Sequence, residues 1–538
     1  MVKRDGVLVQ VNVVREVRST YTIHHFIVFV MTFASYLQIY ALRKTVSYVK
    51  STIVEVWVPM NESCIMDDKE SAGGYSLFAT KSKAETFLGA LDSVFMFSYA
   101  VALYFVGALS DRFDPRVILC ISMWSSAILT AVFGFLTEMV HFYSVPFYVC
   151  LWILNGVCQS AGWPSSVKLM DNWFGKQKRG LIFGLWSSAS SVGSIVGAYI
   201  CALMLPYGYE YAFLVSASLL FSVSLIVYFG VVTSPKDLEP PSEQPKVRND
   251  EETGIACTGS STPDSSNPSP NGSLVLHPEK SKAISFFKAL FLPGVIAYAL
   301  SYTCLKSVNY SIFFWLPYYM RANFGWDPST SATLSTYYDW GGIAGSTVCG
   351  FASDLLGKRS PVLVSMLALS IFSLGGYAKS PDNKLVNGIL MTVVGFFVSG
   401  ATNLVSSAVT ADLGRQKAVL NNREALSTVS GIIEGSGSAG AAIGQAILPL
   451  IAAALGWNAI FYMFMIMLFI SLVLLSKLCY RESREMVGDC CARVYSLTGG
   501  IGECTQTVPV IFVIPLPLGE ATGKDLDDKL VTVCQLVE

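Results

Sequence analysis

Arg43 and Lys306 stand out in this sequence because each sets a full positive charge in an otherwise apolar stretch. The first lies in YLQIYALRK (36–44), where Tyr36, Tyr40 and Arg43 fall four and three residues apart on one helical face, with Lys44 adjoining. The second lies in CLKSVNYSIFFWLPYY (304–319), with Asn309 and Tyr310 one turn further on. A charge at mid-membrane costs at least about 3 kcal/mol on insertion scales and persists only where it is paired or functional. Two such cations facing one cavity neutralise a phosphate dianion, arginine as a bidentate fork and lysine as a point charge. The competing readings are that they snorkel to the interface, easily so for Arg43 if a polar loop follows it, or that they pair with Asp92, Asp339 or Glu434. Asp339, in STYYDWGGIAG (335–345), reads either as the partner that holds Lys306 poised, which is favoured, or as a proton site. His24, His25, His141 and His277 fall at membrane edges or in loops, and no nucleophile, base and metal constellation accompanies the charges. The chemistry expected is binding and translocation, with no enzyme activity, cofactor or metal.

The elements that carry these charges must be membrane helices. The 538 residues are 52% hydrophobic and 14% charged, more apolar surface than one water-soluble core hides, so the surplus faces lipid. Apolar stretches of roughly 20 residues, enough to span a bilayer as helix, are expected at 24–43, 87–109, 117–137, 146–166, 180–204 and 211–232. Six more follow at 291–319, 331–353, 361–378, 386–410, 427–454 and 458–479. Between the two sets, 233–283 is rich in Pro, Ser, Asn and Glu and reads as a disordered cytosolic linker. The predicted fold is therefore an all-α membrane protein with six-helix halves at 24–232 and 284–479. A cytosolic N-terminus (1–23), an outer loop (45–86) and a cytosolic tail (480–538) complete it. Basic residues set the orientation. Arg112, Arg116, Lys168, Lys176, Lys178, Arg179, Lys358, Arg359, Arg415, Lys417 and Arg423 fall in one set of short loops, against Arg321, Lys379 and Lys384 in the other, which puts both termini in the cytosol. The sequon at Asn61 then suits a glycan on the outer side, whereas those at Asn271 and Asn309 should stay bare. The net charge of −1 excludes nucleic-acid binding by bulk positive charge and leaves the lipid bilayer as the first partner.

The halves echo each other. GALSDRFDPR (107–116) follows the second helix of the first half and GFASDLLGKR (350–359) the second helix of the other, the offset of an internal duplication. These segments resemble the cytoplasmic-loop signature of the major facilitator superfamily, in which an Asp near a helix end latches the inner gate on a neighbouring Arg. Asp111 with Arg112 or Arg116, and Asp354 with Lys358 or Arg359, are the candidate latches. Gly156, Gly162 and Pro164 should let helix 4 approach a neighbour and bend, and GSGSAGAAIG (435–444) reads as a small-residue stripe for close helix contact.

Most of both halves also resembles the sugar-phosphate exchangers, of the organophosphate:phosphate antiporter group within that superfamily. The resemblance is carried by YALRKTVSYVKS (40–51), LGALDSVFMFSYA (88–100), NGVCQSAGWPSSV (155–167), NWFGKQKRG (172–180), FFWLPYYM (313–320) and ALSTVSGIIEGSGSAGAAIG (425–444). It implies exchange of inorganic phosphate for a sugar phosphate such as glucose 6-phosphate, with Arg43 as a phosphate ligand, and a place in the endoplasmic reticulum. The sequence departs from relatives at several points. The helix 7 cation of well-studied members aligns near Asn309, Leu103 replaces a Lys, Ala189 or Ser190 replaces a His, and Gly400-Ala401-Thr402 replaces G-P-Y. Two other function classes stay open: a carrier for another organic anion driven by protons through Asp339 or Glu434, and a non-transporting membrane sensor or scaffold.

Overall fold

The computed structural model describes residues 23–58, 77–174, 182, 185–235, 286–414, 416 and 425–497. Among these the first half comprises α1 (Ile23–Trp57), α2 (Lys81–Arg112), α3 (Pro115–Ala131), α4 in two pieces (Val145–Gln159 and Gly162–Trp173), α5 (Ala189–Met204) and α6 (Tyr209–Gly230). The second half comprises α7 (Val295–Phe324), α8 (Pro328–Leu356), α9 (Ser360–Tyr377), α10 (Lys384–Leu404), α11 (Ala425–Leu455) and α12 (Trp457–Leu497). π-helical turns extend α3 at Val132–Leu136 and α10 at Val405–Val409. Among the described residues ten helices are long and apolar enough to cross a membrane; α7 and α8, of 30 and 29 residues, have the length but are more polar. The twelve-helix bundle in two halves is the expected fold.

Local chemistry accounts for the helix ends. Asp114 and Asp327 cap α3 and α8 by accepting the amides of Arg116 and Thr330, each followed by proline at the first helical position. Those Thr330 hydrogen bonds hold the Asp327 carboxyl below its ordinary range. Gly325, at φ 70°, ends α7 in the left-handed conformation glycine adopts without strain. The break in α4 between Gln159 and Gly162 falls just before Pro164, the bend anticipated there. Within the second half α8 and α10 lie so close that a Cβ on Gly345 would stand 2.0 Å from the Phe396 carbonyl oxygen. The halves meet where α2 packs on α11, α5 on α8 and α1 on α7.

The first helix is longer than the sequence suggested. The 45–86 loop was expected to begin directly after Lys44, yet α1 continues to Trp57 and α2 already begins at Lys81. The physical reason is that Lys44 and Lys50, which look like loop charges, are neutralised inside the bundle by Asp339 and Asp92. Asn61, most of the linker, and the tail beyond 497 lie outside the described residues, as do the side chains of Asp111 and Arg112.

Several polar contacts tie the halves together toward the Trp57 end of α1. Pro317, inside α7, offers no amide to the Phe313 carbonyl one turn back. Ser47 of α1 supplies that hydrogen bond, its Oγ lying 3.0 Å from the Phe313 oxygen and 2.8 Å from that of Phe314. Lys50 donates to the Phe314 carbonyl at 3.1 Å. Beyond these, Arg321 of α7 pairs with Glu55 of α1, Tyr318 donates to Glu85 of α2, and Ser329 of α8 donates to the Ala202 carbonyl of α5.

Candidate functional site

Between the halves lies a cavity lined by both. One part of its wall is aromatic: Tyr36 and Tyr40 from α1, Tyr99 from α2, Trp163 from α4, Tyr302, Tyr310 and Phe313 from α7, and Tyr338 from α8. The other part is hydroxyl- and amide-rich: Ser187, Ser190, Ser191 and Ser194 on the first-half side, and Ser399, Thr402, Asn403, Ser406 and Ser407 from α10. The π turn in α10 holds both Ser406 and Ser407, a local widening of the helix of the kind often found at functional sites. Lys306, Asp339 and Glu434 bring charge to this surface. Aromatic faces beside hydroxyl and amide groups form a surface able to hold a polyhydroxylated molecule.

The charges are arranged in layers. Lys306 donates to Glu434 Oε2 at 2.7 Å and to Ser438 Oγ at 3.0 Å, between the rings of Tyr302 and Tyr310. Its stem passes over Gly437, where a Cβ would stand 2.7 Å from the Lys306 Cδ; the small-residue stripe of 435–444 makes this approach possible. Lys44 pairs with Asp339 at 2.6 Å, linking α1 to α8 across the halves. Lys50 pairs with Asp92, with its ammonium 3.9 Å from the Trp315 ring centroid.

Arg43 is different. Its Nε donates to Gln159 Oε1 at 2.8 Å, and its guanidinium lies 4.8 Å and 4.9 Å from the ring centroids of Tyr40 and Tyr99. It is buried at 5% exposure, and its Nη1 has no hydrogen-bond partner. It stands one layer behind the cavity, against the tyrosines that line it, and borders a much smaller void shared with Asp92, Asn155 and Gln159. Gln159 is held in turn by Ser126 and Asn155, so the one acceptor on Arg43 is fixed in place.

Of the residues singled out from sequence, Tyr36, Tyr40, Lys306, Asn309, Tyr310 and Asp339 line the cavity, whereas Arg43 and Lys44 lie behind it. The spacing of Tyr36, Tyr40 and Arg43 does bring them together: the two hydroxyls are 3.4 Å apart, and Tyr40 reaches Tyr310 of the other half at 3.1 Å. The favoured partner of Lys306 requires correction. Asp339 is taken by Lys44, and Glu434 of α11 neutralises Lys306 because α7 and α11 pack side by side. Asn309 accepts from the Tyr338 hydroxyl inside the bundle, where no glycan has room. At the other end of the molecule Arg359 bridges Asp354 (2.6 Å) and Asp412 (2.8 Å), which lies in the helical turn Thr410–Leu413 that follows the π turn of α10. Lys358 pairs with Glu485 of α12 rather than with Asp354. Arg116 pairs loosely with Asp114 at 3.5 Å and donates to the Val231 carbonyl.

Sequence reasoning missed the Lys50–Asp92 pair, Gln159 and the serine wall. Lys50 lies seven residues after Arg43, on the same face of a helix that continues, and Asp92 was weighed only as a partner for Arg43 or Lys306. Together those two facts would have found the pair.

The sequence matches the family model of the Major Facilitator Superfamily over residues 28–421 and 319–488. It is 46% identical over 471 residues to Sugar phosphate exchanger 3 of Mus musculus, covering 87% of this chain and 95% of that one. It is 33% identical over 475 residues to Glucose-6-phosphate exchanger SLC37A2 of Xenopus laevis, covering 86% and 93%. Among solved structures, the D-xylose-proton symporter superposes with a TM-score of 0.60 over 84% of this chain and 97% of that one, at 13% identity, a likeness of fold alone. These matches run through both halves and through the helices that build the cavity, and the chain belongs to the sugar phosphate exchanger family of the Major Facilitator Superfamily.

Proposed function

We propose that this protein carries a sugar phosphate across a membrane in exchange for inorganic phosphate, by rocking its two halves about the central cavity. The observation that carries the reading is the charge imbalance around it. Lys44, Lys50 and Lys306 each have a carboxylate, and Arg43 has none among its described contacts. A buried guanidinium without a counter-ion is expensive in a low dielectric, and a phosphate monoanion or dianion supplies what is lacking. In this reading Arg43 is the principal phosphate ligand, reached when Tyr40 and Tyr99 part. Lys306 is the second cation, and Tyr36, Lys44, Asn309, Tyr310 and Asp339 shape and balance the site. The aromatic and serine walls hold the sugar. Glucose 6-phosphate is the favoured cargo, from the resemblance to exchangers named for it.

Exchange follows from the same charge. Returning an empty carrier drags an unneutralised Arg43 through the occluded state, whereas a carrier loaded with either ligand returns neutralised. The inner loops are proposed as latches, with Arg359 holding Asp354 to Asp412, and Arg112 or Arg116 serving Asp111 in the first half. Cytosolic termini, a glycan at Asn61 and residence in the endoplasmic reticulum belong to the same proposal. The deciding experiment is counterflow in proteoliposomes. Labelled phosphate should enter vesicles preloaded with glucose 6-phosphate or phosphate and fail to enter empty ones. Equal uptake by empty vesicles would remove obligatory exchange.

A further inference from the structure

Glu434 is the feature of the cavity that a phosphate-binding role leaves unexplained, since it places a negative charge where an anion is to bind. Its surroundings resolve the difficulty. One carboxylate oxygen accepts from the Lys306 ammonium at 2.7 Å, and the other from the Tyr302 hydroxyl at 3.3 Å and from the Ser406 hydroxyl. Those donors come from α7 and from the π turn of α10, converge on one point of the cavity wall, and constitute an oxyanion seat. Glu434 itself is 14% exposed at its side chain while Lys306 is 4% exposed, so the carboxylate is the partner on the cavity side of the pair.

We infer that Glu434 is an internal counter-anion: it occupies the oxyanion seat of the second half when the carrier is empty and yields that seat to the phosphate group of the substrate. This rests on the proposed sugar-phosphate exchange. The two halves then hold two anion seats of unlike kind. The seat at Arg43 is unfilled and sets the need for a ligand. The seat at Lys306 is filled from within, so that the substrate-free carrier carries one uncompensated charge rather than two. Glu434 lowers affinity by the fraction of time it holds the seat, which keeps the ligand releasable after translocation. It is a positioning residue, acting on the ligand through Lys306, Tyr302 and Ser406.

The test is titration of the purified full-length protein with inorganic phosphate and with glucose 6-phosphate, following heat of binding. Glu434→Gln keeps the shape and removes the charge. If the seat is held by the carboxylate nine-tenths of the time, affinity for both ligands should rise about tenfold. In proteoliposomes the ratio of exchange to efflux into ligand-free medium should rise with it. Affinity that stays unchanged, or falls for both ligands, overturns the proposal. A fall for glucose 6-phosphate with phosphate unaffected also overturns it and makes Glu434 a sugar-hydroxyl acceptor. Because Glu434→Gln leaves Lys306 without its acid, a variant that does not fold is replaced by Glu434→Asp. That variant keeps charge balance but retracts the carboxylate from the α10 hydroxyl. It should tighten phosphate binding about two- to threefold, and no tightening refutes the inference. If the wild-type protein binds neither ligand, the sugar-phosphate reading itself fails, a result distinct from binding that ignores Glu434.

Discussion

The two halves each bring a cation to the neighbourhood of the cavity, and they treat it differently. In the first half Arg43 is surrounded by the faces of Tyr40, Tyr99 and Phe95 and by one neutral amide. In the second half Lys306 has its own carboxylate, supported by two hydroxyls on that acid. Aromatic faces ease the burial of a guanidinium, whose charge is spread over a plane, but they do not neutralise it. The lysine ammonium is a compact, strongly hydrated point charge and needs an acid to stay buried. Residue type and partner are thus matched in each half, and the duplicated framework holds one cation with no acid among its described contacts and one paired with its own.

Four substitutions probe this difference. The largest effect on stability is expected from Lys306→Met, which strands Glu434: about 3 kcal/mol by thermal unfolding, with most of it recovered in Lys306→Met/Glu434→Gln. If the single and double variants were equally unstable, the pair would be incidental packing. Arg43→Gln should act the opposite way. No acid loses its partner, so stability should change by under about 1 kcal/mol, while phosphate exchange falls at least about thirtyfold, the loss of roughly 2 kcal/mol or more of charge pairing. A large stability loss with exchange retained would make Arg43 structural. Ser47→Ala comes third. It leaves the Phe313 carbonyl freed by Pro317 without its donor, at a cost of about 1–3 kcal/mol to the conformation in which the halves touch there. Disulfide yield between cysteines replacing Glu55 and Arg321 should fall at least about fivefold. The smallest effect belongs to Arg359→Ala. Its contacts are partly exposed, so each contributes under about 1 kcal/mol, and exchange should slow by less than about fivefold.

Much of this was legible in the sequence. The helix count, the halves, the small-residue stripe and the bend at Pro164 follow from hydropathy, duplication and the geometry of glycine and proline, all of which are local properties. The family followed from motifs such as NWFGKQKRG. Helix ends and charge partners were harder, because a lysine paired inside a bundle and a lysine in a loop look alike until its acid is located. Lys44 and Lys50 show this: their acids sit 295 and 42 residues away, on other helices, and a pattern read along one helix does not contain them. For the same reason Asp339 was assigned to Lys306 when the packing of α1 against α8 gave it to Lys44. The layer between Arg43 and the cavity could not be read either, since it depends on where Tyr40 and Tyr99 come to rest.

The polarity of α7 and α8 has a consequence for how the chain is made. Each is long enough to span, yet each is more polar than the ten described helices whose length and composition suit a membrane crossing. Lys306 and Asp339 at their centres would each oppose insertion by about 3 kcal/mol. Both charges lose most of that penalty only on meeting Glu434 and Lys44, which belong to the eleventh and the first helix of the chain. The two helices are therefore expected to depend on α1 and α11 for stable insertion. Two of the helices that line the cavity, α7 and α8, thus carry charges whose partners lie on two others that line it, α1 and α11.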